Sequence, residues 1–187
     1  MPSVFFSSDH HFGHGTLIRL GHRPFQDVNI MNEEMIQRHN ARVSPGDEVF
    51  MLGDFALKMQ PNDVNHVISR LNGHKHLIVG NHDTKNVKKY RGFASVQPYL
   101  EKRIDGIKVC MMHFPILAWN RKHYGSFHLH GHSHGKQNYP GNPYLLGRAM
   151  DVGVDTNQFR PYEWPEIKSV LLARTSGIIR DEYSYLR

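Results

Sequence analysis

Residues 77–83 read LIVGNHD, three apolar residues followed by a glycine and three residues able to do chemistry. The apolar residues predict a short buried strand, and Gly80 allows the backbone to turn sharply at its end. Since ligands bind at the carboxyl ends of strands in α/β sheets, the polar side chains would lie at a binding edge. Asn81 could bind a metal ion, His82 could donate a proton, and Asp83 could orient His82. The segment alone fits equally well a turn with a hydrogen-bonded histidine.

Two earlier segments repeat this design, with potential metal ligands after an apolar run. Asp9 and His11 follow the run 4–6 and, being two residues apart, point to one face of an extended segment. A polar loop after an edge strand is the alternative for this pair. Asp54 follows Gly53, which in turn ends another apolar run. Both segments therefore predict carboxylates or imidazoles at strand ends.

Histidines end two strand-like runs in the second half of the chain. One of them is His113. His132 and His134 lie in a turn bounded by glycines and are the better ligand candidates, whereas His128 and His130 are predicted to be strand residues that face a neighbouring layer. The seven candidate metal ligands are Asp9, His11, Asp54, Asn81, His113, His132 and His134.

This donor set indicates a transition-metal centre. The chain has 15 histidines, and its single cysteine, Cys110, lies in a strand-like run where core packing is the expected role. Oxygen and nitrogen donors without thiolate favour Mn, Fe, Zn, Co or Ni over Ca or Mg, and we favour Mn. The seven donors suffice for two divalent ions if one carboxylate bridges them and water completes their coordination.

The apolar runs and helix signals predict the elements that hold these residues. Strands at 4–6, 49–52 and 77–79 alternate with helices at 29–43 and 61–71, as in an α/β sheet with parallel strands. Further strands, which indicate a second and more antiparallel sheet, are predicted at 94–99, 107–112, 126–130, 150–154 and 169–173. We expect a single domain over residues 1–187.

Charge and hydropathy bound the class of protein. A formal net charge of +6 favours an anionic partner, either a phosphate ester or a nucleic acid. The basic run of Lys85, Lys88, Lys89 and Arg91 is either a solvated helix face or a basic wall beside the site. With one cysteine, no 18-residue apolar run and no leader-like segment before the first strand, we expect a cytoplasmic protein that does not enter membranes.

The five motifs resemble those of the calcineurin-like metallophosphoesterase superfamily, which carries DxH, GD, GNHD or GNHE, H and GHxH in that order. They span residues 9–134 of this chain. Residues 12–14, 23–25 and 151–155 resemble a small single-domain branch from bacteria and phages. The resemblance implies a four-layer α/β/β/α sandwich of two mixed sheets, with the site at the strand ends.

The resemblance also implies a role for each candidate residue. One metal ion would be bound by Asp9, His11 and His134, the second by Asn81, His113 and His132, and Asp54 would bridge them. A hydroxide shared by the ions would attack phosphorus while His82, held by Asp83, assists the leaving group. His14, Arg23 and Arg148 are predicted to contact phosphate; the alternative is a surface or loop-bracing role, which we favour for the two arginines.

The predicted function is hydrolysis of a phosphodiester or phosphomonoester, with a nucleotide or cyclic nucleotide as the small substrate. The chain lacks the DRG motif of the related protein phosphatases and has Asp83 where they have Glu, which argues against that activity. A nuclease acting on DNA or RNA is the first alternative. A non-catalytic scaffold on the same fold is the second.

Overall fold

The computed structural model describes residues 2–83, 87–136 and 147–174. In these ranges the strands are β1 (Val4–Ser7), β2 (Glu48–Met51), β3 (His74–Ile78), β4 (Ser95–Gln97), β5 (Tyr99–Ile104), β6 (Ile107–Met112), β7 (Phe127–His130), β8 (Ala149–Asp151) and β9 (Tyr162–Glu163). The helices are α1 (Thr16–Arg19), α2 (Val28–Asn40), α3 (Pro61–Arg70) and α4 (Trp164–Ala173). None of the helices in these ranges is long and apolar enough to cross a membrane.

The strands form two mixed sheets, so the predicted α/β class is confirmed. The first has the order β4-β3-β2-β1-β9, in which β1 to β4 are parallel and β9 is antiparallel at the edge. The second has the order β5-β6-β7-β8 and is not mainly antiparallel, because only the β5–β6 pairing is of that kind. The carboxyl ends of parallel strands therefore meet at one edge of each sheet.

Side chains alternate between two hydrophobic clusters along each central strand. Phe5 and Val49 pack with residues of α2 and α3 on one face of the first sheet. Phe6 and Phe50 point to the opposite face, where they pack with Leu129 and other residues of the second sheet. This period of two fixes the register, since a shift of one residue would exchange the faces.

The sequence prediction of a strand at 169–173 is wrong, because this segment is the second half of α4. A capping box between Glu163 and Glu166 starts the helix. Trp164, Ile167 and Leu171, at helical spacing, are buried in the cluster between the two sheets. A short apolar run does not distinguish a strand from a buried helix. Here the capping box and the helical spacing of the buried residues identify a helix.

Other boundaries shift by a few residues. Helix α2 begins after Asp27, which accepts hydrogen bonds from the backbone of Asn29 and Ile30, so the helix starts one residue before the predicted range 29–43 and ends at Asn40. The predicted strand 94–99 divides into β4 and β5, which belong to different sheets. Of the basic run, Lys88, Lys89 and Arg91 are exposed, and Lys85 lies outside the described residues.

Acid should destabilise the fold partly through His39, which is 3% exposed on α2 and donates from Nε2 to the carbonyl of Asn72. Burial lowers its pKa to about 4, whereas an unfolded histidine titrates near 6.5. The folded state therefore binds fewer protons and loses stability as the pH falls from 6.5 to 4, by about 3 kcal/mol if His39 acts alone.

Urea unfolding with EDTA at pH 7 and pH 4.5 measures this loss. His39→Gln, which can still donate to Asn72, should lose about 1–3 kcal/mol less than the wild type over that interval. The matched control is His22→Gln, since His22 is exposed. Equal losses in all three proteins would contradict a role for His39 in acid sensitivity.

Candidate metal centre

The loops that carry the candidate ligands have an uncommon backbone conformation. The left-handed residues among them are Asp9 (φ 55°), His11 (φ 51°), Asp54 (φ 53°), His132 (φ 68°) and His134 (φ 48°). Each left-handed residue other than glycine costs about 1–3 kcal/mol and persists where the surroundings determine it. The strand ends are thus bent at these residues, which turns their side chains toward a common point.

Close approach of the loops explains two of the motif glycines. A Cβ atom on Gly80 would lie 2.4 Å from the backbone nitrogen of Asp54. A Cβ atom on Gly131 would lie 2.4 Å from Oδ2 of Asp9 and even closer to Ser8. These glycines allow the third motif to pack against the second, and the fifth against the first.

The first group of ligands consists of Asp9, His11 and His134. Oδ1 of Asp9 is 4.0 Å from Nε2 of His11 and 3.8 Å from Nε2 of His134. Oδ1 of Asp9 and both ring nitrogens of His11 are buried, and none of them has a hydrogen-bond partner in the described ranges. Burial raises the pKa of Asp9 to about 6, since the protein alone gives this carboxylate too little compensating charge.

The second group consists of Asp54, His113 and His132, and Asn81 lies beside it. Nδ1 of His113 donates to the carbonyl of Leu52 at 2.7 Å, which leaves Nε2 with a free lone pair. That Nε2 is 3.5 Å from Oδ2 of Asp54 and 3.0 Å from Oδ1 of Asn81. Nδ1 of His132 is also 3.0 Å from Oδ1 of Asn81, so acceptor atoms converge on one point.

Asp54 connects the two groups, because its Oδ2 is also 3.7 Å from Nε2 of His11. Distances of 3.5–4.0 Å are too long for hydrogen bonds. They are typical of neighbouring ligands that each lie about 2.0–2.2 Å from a shared ion. The spacing, the unpartnered buried atoms and the donor types therefore fit divalent metal ions. Burial would raise the pKa of Asp54, but the nearby imidazole of His113 and the hydrogen bond from the backbone N–H of His82 hold it at about 2.

His82 lies beside both groups on the solvent side. Its side chain is 40% exposed, and Nε2 is 3.8 Å from Oδ2 of Asp54. The His82 ring contacts the His11 ring edge-on at 5.4 Å. Since the backbone N–H of His82 donates to Oδ1 of Asp54, the main chain holds this residue against the site.

The interpretation of Asp83 as the residue that orients His82 is corrected. The Asp83 carboxylate is fully buried and accepts hydrogen bonds from the backbone N–H groups of Asp54, Phe55 and Gly80, at 2.8–3.0 Å. Within the described residues no hydrogen bond or ion pair joins it to the His82 ring. Asp83 therefore ties the second motif to the third, because its oxygens are occupied by the backbone of both.

The three predicted phosphate contacts lie in different surroundings. The His14 ring lies 5.3 Å from that of His11, beside the first ligand group, and its buried Nδ1 has no hydrogen-bond partner within the part of the chain that the structure describes. Arg23 is buried, and its guanidinium is occupied by protein acceptors. Arg148 precedes β8 at the end of the sheet opposite the ligands and donates to the carbonyl of Gly125. The contacts of both arginines are those of loop braces.

Two carboxylates that support the site received no role in the sequence analysis. Asp155 accepts a hydrogen bond from Nδ1 of His134 at 2.8 Å. Burial would raise its pKa, but this hydrogen bond and the charge of Arg23 hold it at about 2. Asp151 accepts from Ser133 and from the backbone of Gly135, and so holds the fifth motif. The sequence signal for both carboxylates is the segment 151–155, whose resemblance to a small single-domain branch assigns neither of them a role.

Comparison with known proteins gives three informative similarities, while no family model matches the chain. The uncharacterized protein MJ1445 of Methanocaldococcus jannaschii is 31% identical over 165 residues, 86% of each chain. The gene 66 protein of Mycobacterium phage L5 is 25% identical over 189 aligned positions, 83% of this chain and 87% of its own. The protein of unknown function AQ665 from Aquifex aeolicus has the same fold, with a TM-score of 0.73, 22% identity, and coverage of 91% of this chain and all of its own.

The two-sheet fold places the five motifs at its strand ends, which is the arrangement that their resemblance to the calcineurin-like metallophosphoesterase superfamily implies. Identity of 31% over 86% of both chains is enough to place two proteins in one family. The chain belongs to the same family as the MJ1445 protein of Methanocaldococcus jannaschii.

Proposed function

We propose that the protein is a hydrolase that uses two divalent metal ions, with Mn²⁺ favoured, to cleave a phosphodiester or phosphomonoester of the nucleotide or cyclic-nucleotide type. The supporting observation is the position of Asp54 between two groups of metal-binding side chains, with an exposed imidazole beside it. One ion would be held by Asp9, His11 and His134. The second ion would be held by Asn81, His113 and His132, and Asp54 would bind both.

Bound divalent ions would supply a nucleophile by lowering the pKa of water and would neutralise charge on the phosphate oxygens. The chain itself supplies the fixed geometry and the proton. His82 is exposed and held by its backbone N–H, so its ring can meet the oxygen of the departing group and protonate it. His14 faces the same space, where a phosphate oxygen could accept from its ring.

Metal-dependent turnover of bis(p-nitrophenyl) phosphate tests this proposal. Protein freed of metal should be inactive, should gain activity with added Mn²⁺, and should lose it again when EDTA is added. Release of p-nitrophenol followed at 405 nm measures the rate, and elemental analysis of the same samples measures bound metal. Protein that holds two ions but hydrolyses neither this diester nor any aryl monoester would contradict the proposal and favour a scaffold.

A nuclease is the second candidate, because Lys88, Lys89 and Arg91 are exposed after the third motif. Binding to a long strand releases counterions, so its affinity would fall steeply with salt. A small substrate makes few phosphate contacts and predicts a shallow dependence. Measuring KM between 50 and 200 mM NaCl for a dinucleotide and for a long oligonucleotide separates the two substrates.

A further inference from the structure

Arg23 is a buried cation with every part of its guanidinium in contact with the first ligand group or its support. Its Nε and Nη2 donate to the two carboxylate oxygens of Asp155, each at 2.9 Å. Its Nη2 and Nη1 also donate to the backbone carbonyls of Asp9 and His10, each at 2.6 Å. Arg23 is 3% exposed, so these contacts are shielded from water. Arg23 thus connects Asp155, which lies 132 positions further along the chain, to the loop of the first motif.

Asp155 continues this connection to a ligand. Its Oδ2 accepts from Nδ1 of His134 at 2.8 Å, which leaves Nε2 of His134 unprotonated and directed to the Asp9 carboxylate at 3.8 Å. A carboxylate on the far nitrogen fixes the tautomer and orientation of a metal-binding imidazole and increases its basicity. The Arg23–Asp155 pair is neutral as a unit, so it fixes both Asp9 and His134 without placing a net charge beside the ion.

Among the residues that the structure describes, no charged side chain supports the second ligand group in this way. His113 donates to a neutral backbone carbonyl, that of Leu52. His132 and Asn81 are exposed, whereas Asp9 and His11 of the first group are buried. Because exposed ligands lose more conformational freedom when they bind an ion, the second group is less preorganised than the first.

We propose that Arg23 and Asp155 are positioning residues that make the group of Asp9, His11 and His134 the tighter of the two metal sites. The protein then holds one resident ion and one ion that exchanges with the medium. This inference rests on the two-metal function proposed above. It adds an order of binding and assigns that order to a buried ion pair outside the ligand set.

Calorimetric titration of metal-free protein with Mn²⁺ tests the inference. The wild type should bind two ions in separate steps. Asp155→Asn keeps the volume and can still accept from His134, but lacks the charge, and should weaken the tight step by about 10–100-fold while the weak step stays unchanged. Arg23→Lys retains the charge but loses the planar fork that reaches two carbonyls, and should weaken the same step.

The matched control is Glu33→Gln, because Glu33 forms a bidentate ion pair with Arg70 on the surface, with both N–O distances at 2.6 Å. This variant should bind both ions as the wild type does. Thermal unfolding in EDTA shows which variants are folded. If Asp155→Asn does not fold, Arg23→Lys still tests the inference. Two equal steps in the wild type, or a folded variant with the tight step unchanged or both steps weakened alike, would overturn the inference. Two bound ions without phosphoester hydrolysis would refute the proposed function alone.

Discussion

Replacing His82 with alanine should lower kcat by about 10²–10⁴-fold, the range expected for loss of a general acid. The substitution removes the ring that lies 3.8 Å from Oδ2 of Asp54 and leaves the backbone N–H that donates to Oδ1 of the same residue. The loop should therefore keep its position. Since His82 is 40% exposed, no cavity forms and stability should change little.

Two measurements make this result specific to proton donation. The loss in kcat should be smaller for p-nitrophenyl esters than for alkyl or nucleoside esters, because a good leaving group needs less assistance. Elemental analysis should find two ions in the variant. An equal loss for both kinds of ester would argue against an acid role, and loss of an ion would show that His82 is a ligand, since its ring also lies close to His11 and Asp54.

Asp54→Asn should have a still larger effect and reduce activity to background. Oδ2 of Asp54 lies within 3.5–3.8 Å of ring nitrogens of His11, His113 and His82, so this carboxylate stands between the two ligand groups. An amide has the same volume and can still accept from the His82 backbone, but it lacks the negative charge that a bridge between two cations needs. Both metal affinities should therefore fall.

Calorimetric titration with Mn²⁺ and assay with bis(p-nitrophenyl) phosphate measure the two losses. Asp63→Asn is the control, since Asp63 is an exposed carboxylate on α3 and should bind and hydrolyse as the wild type does. Full binding of two ions by Asp54→Asn would show that this residue does not bridge them. The low pKa of Asp54 means that the wild type carries this negative charge throughout the range from pH 6 to 8, where both measurements are made.

Local sequence patterns predict most of the strands, the helices α2 and α3, and the chemistry of the ligands. Alternation of apolar residues is a local property, so runs such as 49–52 identify a strand and the residue that follows its end. The turn glycines and the potential metal ligands at positions 9, 54 and 113 can likewise be recognised from the sequence near them. Pattern failed at 169–173, where five apolar or small residues suit either kind of element and only packing against both sheets decides for α4.

Long-range packing brings the ligands together and supplies the residues that hold them. The partner of Arg23 is 132 residues away, and nothing in the local pattern of either segment specifies that contact. Asp83 follows His82 directly, yet its carboxylate binds the backbone of the second motif, because a buried carboxylate is satisfied by whichever donors the packed strands bring to it. The left-handed backbone at Asp9 and His134 is likewise imposed by long-range contacts, since neither residue type favours it as glycine does.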